Sequence, residues 1–272
     1  MRIMYIFVVS FIALSFILGN STAQALVLGT NITIPDRVGH DSDDWYSKNK
    51  EDQEVEPGNA TGQKWDLEGF YFDKNTNKLS LVSGYDFSGT SWGQDRPGDL
   101  FIDVNGDAVY GPDADRTGSY NLPVFNDFGY DYVLDLDFDK LTYDLIALDT
   151  SCLLTQTVYY RDNQESNPWR YFWGGSKVYS GNFVLESGLR DTDVDNLEGE
   201  THYALIFDLG GLLDGEFKDF ESFMFHFTME CGNDNLMGKH TKCAPVPEPS
   251  TVLLIGAGLL GLVAWGRRRM NK

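Results

Sequence analysis

Apolar and polar residues alternate with a period of two along much of this sequence, and this alternation constrains the fold more than any other feature. The clearest case is residues 130–139, where one set of alternate positions is apolar and the other is mostly acidic. The apolar positions are Tyr130, Tyr132, Leu134, Leu136 and Phe138. The acidic positions are Asp131, Asp135, Asp137 and Asp139, with Val133 as the exception. Because successive side chains of a β-strand point to opposite faces, the pattern predicts a strand with one buried side.

Further segments with strand-like composition are separated by short turns rich in Gly, Asn and Asp. They are residues 70–73, 79–82, 141–147, 169–173, 177–185, 203–209 and 223–229. A turn at Asp139 and Lys140 predicts a hairpin. No stretch between residues 26 and 244 has the period of a long amphipathic helix. Many short strands joined by tight turns predict an all-β fold, a single ectodomain of the β-sandwich or jelly-roll type.

The N-terminus has the three parts of a signal peptide. Arg2 supplies a positive charge, residues 3–18 form an apolar run, and Ala23 and Ala25 provide the small side chains of a cleavage site. This arrangement predicts that signal peptidase removes residues 1–25 after Ala25. An uncleaved anchor helix is the alternative, and the position of the small residues disfavours it.

The C-terminus combines a proline-rich motif, an apolar run and a basic cluster. Pro247, Glu248 and Pro249 are followed by the charge-free residues 250–265. The basic cluster is Arg267, Arg268 and Arg269. Sixteen helical residues span about 24 Å, enough for a short membrane crossing. Because basic residues stay on the cytoplasmic side, this helix leaves the preceding domain outside the membrane.

Taken together, these three parts resemble the PEP-CTERM sorting signal. The resemblance covers residues 246–272, about a tenth of the chain. It implies processing near the Pro-Glu-Pro motif by the membrane enzyme exosortase, transient residence in the inner membrane, and a cell-surface or extracellular location. It also implies a Gram-negative host with a polysaccharide matrix. The prolines keep the motif extended, as a protease cleft requires. An ordinary stop-transfer anchor is the alternative.

The sequence is therefore divided into a signal peptide at residues 1–25, an ectodomain at 26–245 and a sorting signal at 246–272. The ectodomain retains 16 basic and 40 acidic residues, a net charge of about −24. Such a charge repels nucleic acid and attracts cations or basic partners, which argues against a nucleic-acid function. The same excess of acid also keeps an exported protein soluble.

One acidic segment has the spacing of a calcium loop. Carboxylate and amide oxygens at alternate positions of a tight turn are ligands that Ca²⁺ takes, and two further acids follow shortly after. The candidate ligands are Asp103, Asn105, Asp107, Asp113 and Asp115. Ala108 and Ala114 stand where an EF-hand requires Gly and Glu, so the loop is not an EF-hand. The competing interpretation, which we favour, is a plain two-residue hairpin turn at Asn105 and Gly106.

Three cysteines enter an oxidising compartment, where two can pair and one remains. Cys231 and Cys243 are the candidate disulfide because they are close in sequence, and their pairing would join the last strand to the loop before the tail; the sequence does not decide between this pair and its rival. Cys152 with Cys231 is the alternative pairing. A zinc site at Cys231, His240 and Cys243 is disfavoured because a second close pair of ligands is missing.

The sequence gives little support to catalysis. It contains no nucleophile-elbow motif, and its four histidines have no metal-ligand spacing. Trp169, Tyr171 and Trp173 share one face at period two, a pattern typical of either a sugar-stacking surface or a core. We therefore expect a non-catalytic surface or matrix protein associated with extracellular polysaccharide. Structural calcium belongs to this expectation only if the less favoured interpretation of the loop at residues 103–107 holds. An exported polysaccharide-modifying hydrolase is the alternative.

Overall fold

The computed structural model describes residues 26–34, 60, 62–88, 96–108, 123–157 and 166–242. The predicted signal peptide and sorting tail lie outside the described residues, as do Asp113, Asp115 and Cys243. Among the described residues, no helix is long and apolar enough to cross a membrane.

The described chain is built almost entirely from β-strands. The strands are β1 (Thr30–Asn31), β2 (Gly69–Asp73), β3 (Lys78–Ser83), β4 (Leu100–Asp103), β5 (Pro123–Phe125), β6 (Tyr132–Asp137), β7 (Thr142–Ala147), β8 (Leu153–Thr155), β9 (Arg170–Trp173), β10 (Ser176–Leu189), β11 (His202–Asp208), β12 (Ser222–Thr228) and β13 (Asn235–Thr241). A short helix, α1 (Gly210–Asp214), follows β11, and 3-10 turns occur at Gln63–Trp65 and Asp191–Asp193.

Ten strands form one curled antiparallel sheet in the order β1-β2-β3-β11-β10-β7-β6-β4-β12-β13, and β5, β8 and β9 form a separate three-stranded sheet. The long strand β10 pairs with β7 through its first half and with β11 through its second half. The predicted all-β fold is confirmed. The two layers of the expected sandwich are opposite parts of the same curled sheet.

Residues 30–34 join the two ends of this sheet. Thr30 and Asn31 pair with β2. Further along, the Ile34 amide donates to the Met237 carbonyl at 2.8 Å, and the Lys239 amide donates to the Ile32 carbonyl at 2.8 Å. One segment therefore lies between β2 and β13 and hydrogen-bonds to both, which closes the sheet.

Thr33 makes this closure possible without leaving an unpaired amide. In a regular ladder the Ile32 carbonyl would accept the Phe70 amide, because the Ile32 amide donates to the Phe70 carbonyl at 2.8 Å. The Ile32 carbonyl accepts from Lys239 instead. The Thr33 hydroxyl takes its place and accepts the Phe70 amide at 3.0 Å.

The main core fills the interior of the curled sheet and is rich in aromatic side chains. Residues from the two ends of the sheet meet there: the rings of Phe70 and Phe225 lie 5.9 Å apart, and Phe72 stacks on His240 at 3.9 Å. The strand predicted at residues 223–229 is confirmed as β12, and the alternate residues Phe223, Phe225, Phe227 and Met229 all belong to this core. Sheet curvature therefore brings strands distant in the order into contact.

A second core lies between the outer face of the large sheet and the three-stranded sheet. It contains Phe101, Phe128, Tyr130, Val133, Ile146 and Leu154. Val133, the exception in the alternating pattern, is buried here on the opposite side of β6 from Leu134. Tyr130 was expected beside Leu134, but it precedes β6 and packs on Phe101 in this second core.

The two hairpin predictions have opposite outcomes. The turn at Asp139 and Lys140 does join β6 to β7, with Asp137 opposite Thr142. The hairpin at Asn105 and Gly106 is wrong. Strand β4 pairs with β6 on one edge and β12 on the other, so it has no free edge for the segment that follows Gly106.

We predict that Thr33→Val lowers the free energy of unfolding by about 1–3 kcal/mol, because the buried Phe70 amide loses its acceptor. Urea denaturation followed by tryptophan fluorescence measures the change. Thr201→Val, at an exposed threonine, is the matched control and should leave stability nearly unchanged. Equal stability of the two variants would contradict the closure role of the Thr33 hydroxyl.

Candidate functional site

The loop after β4 is organised by the buried carboxylate of Asp103. One carboxylate oxygen accepts the amides of Asn105 at 2.9 Å and Gly106 at 2.7 Å, and the other accepts the Ala108 amide at 3.1 Å. The Asn105 side-chain oxygen accepts the Asp107 amide at 2.8 Å. These hydrogen bonds hold three of the predicted calcium ligands, Asp103, Asn105 and Asp107, in one compact turn.

Asp131 joins this loop from the start of the neighbouring strand. Its carboxylate accepts the Val104 amide at 2.8 Å and the Asn105 side-chain amide at 3.0 Å. Burial raises the pKa of Asp131, and the negative charges of Asp103 and Asp107 contribute to the rise. Within the described residues, no group of three or more His, Cys, Asp or Glu side chains is placed to hold a metal ion. Asp113 and Asp115 lie outside those residues, so the calcium site stays a prediction.

The cysteines are separated in the fold. Cys152 is a buried thiol outside any disulfide, and its sulfur accepts the Asp149 amide at 3.2 Å. The alternative pairing of Cys152 with Cys231 is therefore wrong. Cys231 lies in the turn between β12 and β13, whereas the Lys242 amide bonds to Glu221 at the open end of that hairpin. Pairing with Cys243 would require the chain to return along β13, about 23 Å, and it stays a prediction.

The outer face of the three-stranded sheet exposes a row of large apolar side chains. Phe125 lies opposite Leu153, which lies opposite Trp173. Phe125 is 60 % exposed and Trp173 is 66 % exposed. The three strands of this sheet contain no Asp or Glu, although the chain carries 41 acidic residues. We call this surface, formed by Phe125, Leu153, Phe172 and Trp173, the aromatic face.

A bulge in β9 produces the fourth member of the aromatic face. Leu153 pairs with Trp173 and Leu154 with Tyr171, so Phe172 is an extra residue and is 59 % exposed. The sequence placed Trp169, Tyr171 and Trp173 on one face. The structure separates them: Trp169 is buried, Tyr171 packs against the second core, and Trp173 faces solvent. The period-two pattern fails here because the bulge shifts the register.

A groove of ≈ 540 Å³ borders the aromatic face and is lined in part by Phe172 and Thr155. Two arginines lie on Trp169 at this groove, with the Arg96 guanidinium 5.3 Å and the Arg170 guanidinium 5.8 Å from its ring centre. Arg96 also makes a bidentate ion pair with buried Glu230, both bonds 2.7 Å long. The groove therefore combines aromatic walls with guanidinium groups.

Two carboxylates with raised pKa values, Asp99 and Asp135, line a neighbouring groove of ≈ 670 Å³. Burial raises the pKa of Asp99 to about 7. Burial also raises the pKa of Asp135, with Arg170 opposing the rise. The Asp99 carboxylate accepts the Leu136 amide at 2.9 Å and the Tyr171 amide at 2.8 Å, which fastens the small sheet to the large one. No sequence motif marks Asp99, and its role was missed.

A buried histidine is held between two carboxylates at the start of β11. One ring nitrogen of His202 lies 2.7 and 2.8 Å from the two Glu68 oxygens, and the other lies 3.1 Å from Asp191. Gln63 donates to Glu68 at 2.6 Å. Burial lowers the pKa of His202, but the hydrogen bonds and charges of Glu68 and Asp191 outweigh this and raise it above its usual value.

The comparisons with known proteins concern the tail. Residues 245–269 match the family model of the PEP-CTERM protein-sorting motif. This is the sorting signal that the sequence resembled, and it implies exosortase processing, export and delivery to the cell surface or extracellular space. No curated protein and no solved structure matches the chain. The ectodomain must therefore be interpreted from its own geometry.

We predict that the protein loses stability as the pH rises above about 6.5, the ordinary pKa of histidine. Because the pKa of His202 is raised in the folded protein, its protonation contributes fully to the free energy of unfolding below that pH. This contribution is lost as the pH rises through the pKa of His202 in the folded protein. Urea denaturation midpoints from pH 6 to about pH 9 measure the slope, which His202→Gln should flatten.

His240→Gln is the control for this pH dependence. Burial lowers the pKa of His240, so its titration affects stability below about pH 6.5 and leaves the alkaline slope in place. An alkaline slope that is the same in wild type and His202→Gln would contradict the assignment.

Proposed function

We propose that the mature ectodomain is a non-catalytic surface or matrix protein that associates with extracellular polysaccharide through the aromatic face. In this proposal signal peptidase removes residues 1–25 of the exported chain, and exosortase cuts near Pro247, Glu248 and Pro249. The tail helix and Arg267–269 then hold the precursor in the inner membrane of a Gram-negative host only until that cut. The observation that carries the binding role is the exposure of Phe125, Phe172 and Trp173 on one small sheet.

The chemistry of the aromatic face suits sugar rings. Aromatic side chains offer flat apolar surfaces, and a cluster of them facing water indicates a binding surface. Sugars also require hydrogen-bonding groups beside the stacking surface, and Thr155, Arg170 and Asp135 line the adjoining groove. The absence of acid in the three strands allows an anionic polymer to approach this face of an otherwise acidic chain.

A polysaccharide-modifying hydrolase is the alternative function, and one observation favours it. Asp99 and Asp135 both line the larger groove, and both have raised pKa values, as a general acid requires. Against it, the Asp99 carboxylate accepts two backbone amides, which would have to be given up for chemistry. This structural use of Asp99 supports binding without turnover.

The proposal retains a calcium ion at the loop after β4. Support comes from the charge of this loop: burial is the largest cause of the raised pKa of Asp131, and repulsion from the Asp103 and Asp107 carboxylates adds to it. A bound cation would relieve this repulsion. Asp113 and Asp115 would complete the coordination shell.

We predict that deletion of residues 247–272 abolishes sorted surface delivery, because exosortase then has no motif to cut. Cell fractionation and protease accessibility of intact cells measure delivery. Deletion of residues 270–272 alone, which lie beyond the matched motif, is the control and should have no effect. If the protein that lacks residues 247–272 still reached the cell surface as wild type does, this result would contradict the sorting function.

We predict that Trp173→Ala weakens binding to the host exopolysaccharide about three- to tenfold, because a stacking surface is lost. Affinity electrophoresis in gels containing the polysaccharide measures binding. Tyr179→Ala removes another exposed aromatic, on β10, and should bind as wild type does. Release of reducing ends that Asp135→Asn abolishes would overturn the non-catalytic proposal in favour of the hydrolase.

We predict that calcium at about millimolar concentration raises the thermal unfolding temperature of the wild-type protein. Asp107→Asn should remove this increase, because its exposed carboxylate is a ligand in the proposal. Asp139→Asn changes charge equally in the β6–β7 turn and should retain the increase. A calcium response that is absent in wild type, or unchanged in Asp107→Asn, would remove the site.

A further inference from the structure

The groove beside the aromatic face has more hydrogen-bond donors than acceptors. Within the described part of the chain, the Arg170 guanidinium has no ion pair or hydrogen-bond acceptor and lies against the ring of Trp169. The indole N–H of Trp169 is also buried without an acceptor among the described residues. Arg96 is half exposed, and its bidentate pair with Glu230 occupies only one edge of its guanidinium. Both arginines line this groove, and both also line the larger groove that contains Asp99 and Asp135.

The acceptors that line the groove are few. Among the described residues that line it, Asp135 is the one carboxylate, and it is half-buried. Thr155 contributes a hydroxyl, and apart from the two arginines the other lining residues are Pro123 and the aromatic residues Trp169, Tyr171 and Phe172. Asp99 lies nearby, but both its oxygens accept backbone amides. A ligand that complements this groove should therefore bring acceptors, and a planar carboxylate matches the donor fork of a guanidinium.

We propose that this groove binds the carboxylate of an acidic sugar, with Arg170 as the primary contact and Arg96 beside it. Phe172 lines the groove and also belongs to the aromatic face, so one chain of sugars can stack on the face and extend a carboxylate to Arg170. The inference rests on the proposed polysaccharide binding and adds selection for uronic-acid residues. The acidic remainder of the ectodomain repels such a polymer, which confines binding to this face.

The test compares two forms of one probe, hexagalacturonic acid and the same oligosaccharide after chemical reduction of its carboxyl groups. Isothermal titration of the full chain in detergent measures both affinities at low and moderate salt. The wild-type protein should bind the acidic form about tenfold or more tightly than the reduced form, because a bidentate charged contact is lost on reduction.

Variants locate the carboxylate contact. Arg170→Gln should reduce affinity for the acidic form to that for the reduced form and leave the latter unchanged. Arg170→Lys retains the positive charge but loses the paired N–H donors of the guanidinium, so it should keep only part of the preference for the acidic form. Lys74→Gln removes one positive charge in the β2–β3 turn and should change neither affinity. Thermal unfolding of each variant confirms that it is folded.

The outcomes separate this inference from the proposed function. Equal binding of the acidic and reduced probes, or a preference retained in Arg170→Gln, overturns carboxylate selection and leaves polysaccharide binding in place. Binding of galacturonic acid monomer as tight as that of the hexamer would mean that the groove takes free carboxylates, which also overturns the inference. Binding of neither oligosaccharide contradicts both proposals.

Discussion

The closure of the large sheet by residues 30–34 is the constraint on which the rest of the structure depends. A ten-stranded sheet has two edges, and an unpaired edge exposes a row of amides and carbonyls. Here one segment serves both edges, and Thr33 supplies the acceptor that the backbone gives up at Phe70. Closure also encloses the aromatic core. In the register that pairs Thr33 with Gly238, the start of β1 lies near the end of β13, so the first and last strands of the described domain meet along one seam.

Local alternation was enough to predict the strands, but not how many of their faces are buried. The sequence predicts one apolar and one acidic side for β6. In the structure Val133, on the acidic side, is buried in a separate core under the small sheet. That core forms because β5, β8 and β9 make a separate sheet that packs over β4 and β6. The sequence does not predict the bulge at Phe172 either, because Trp169, Tyr171 and Trp173 already fit the alternation of a regular strand. Long-range packing decides both features, and no local pattern encodes it.

The acidic residues show a similar division. From the sequence, the excess of acidic residues was interpreted as a source of solubility, and many exposed carboxylates fit that interpretation. Several others are buried and serve as acceptors for the backbone. Asp99 joins the two sheets, Asp103 shapes the loop after β4, and Glu68 holds His202. The structure places Asp103, Asn105 and Asp107 in one compact turn, and the calcium site predicted there stays a prediction. The favoured interpretation of this segment as a hairpin was wrong because β4 is an interior strand.

The small sheet packs on the large sheet through one face and exposes aromatic side chains on the other. Asp99 accepts the Tyr171 amide and Leu154 packs into the second core, so one face of the small sheet is fixed on the large sheet. The other face packs against no core cluster of the described residues, yet it carries Phe125, Phe172 and Trp173. Leaving such side chains in water contributes nothing to folding, whereas polar residues there would favour solubility. A surface that retains aromatics, contains no acid and adjoins two arginines is therefore better explained by a ligand than by stability.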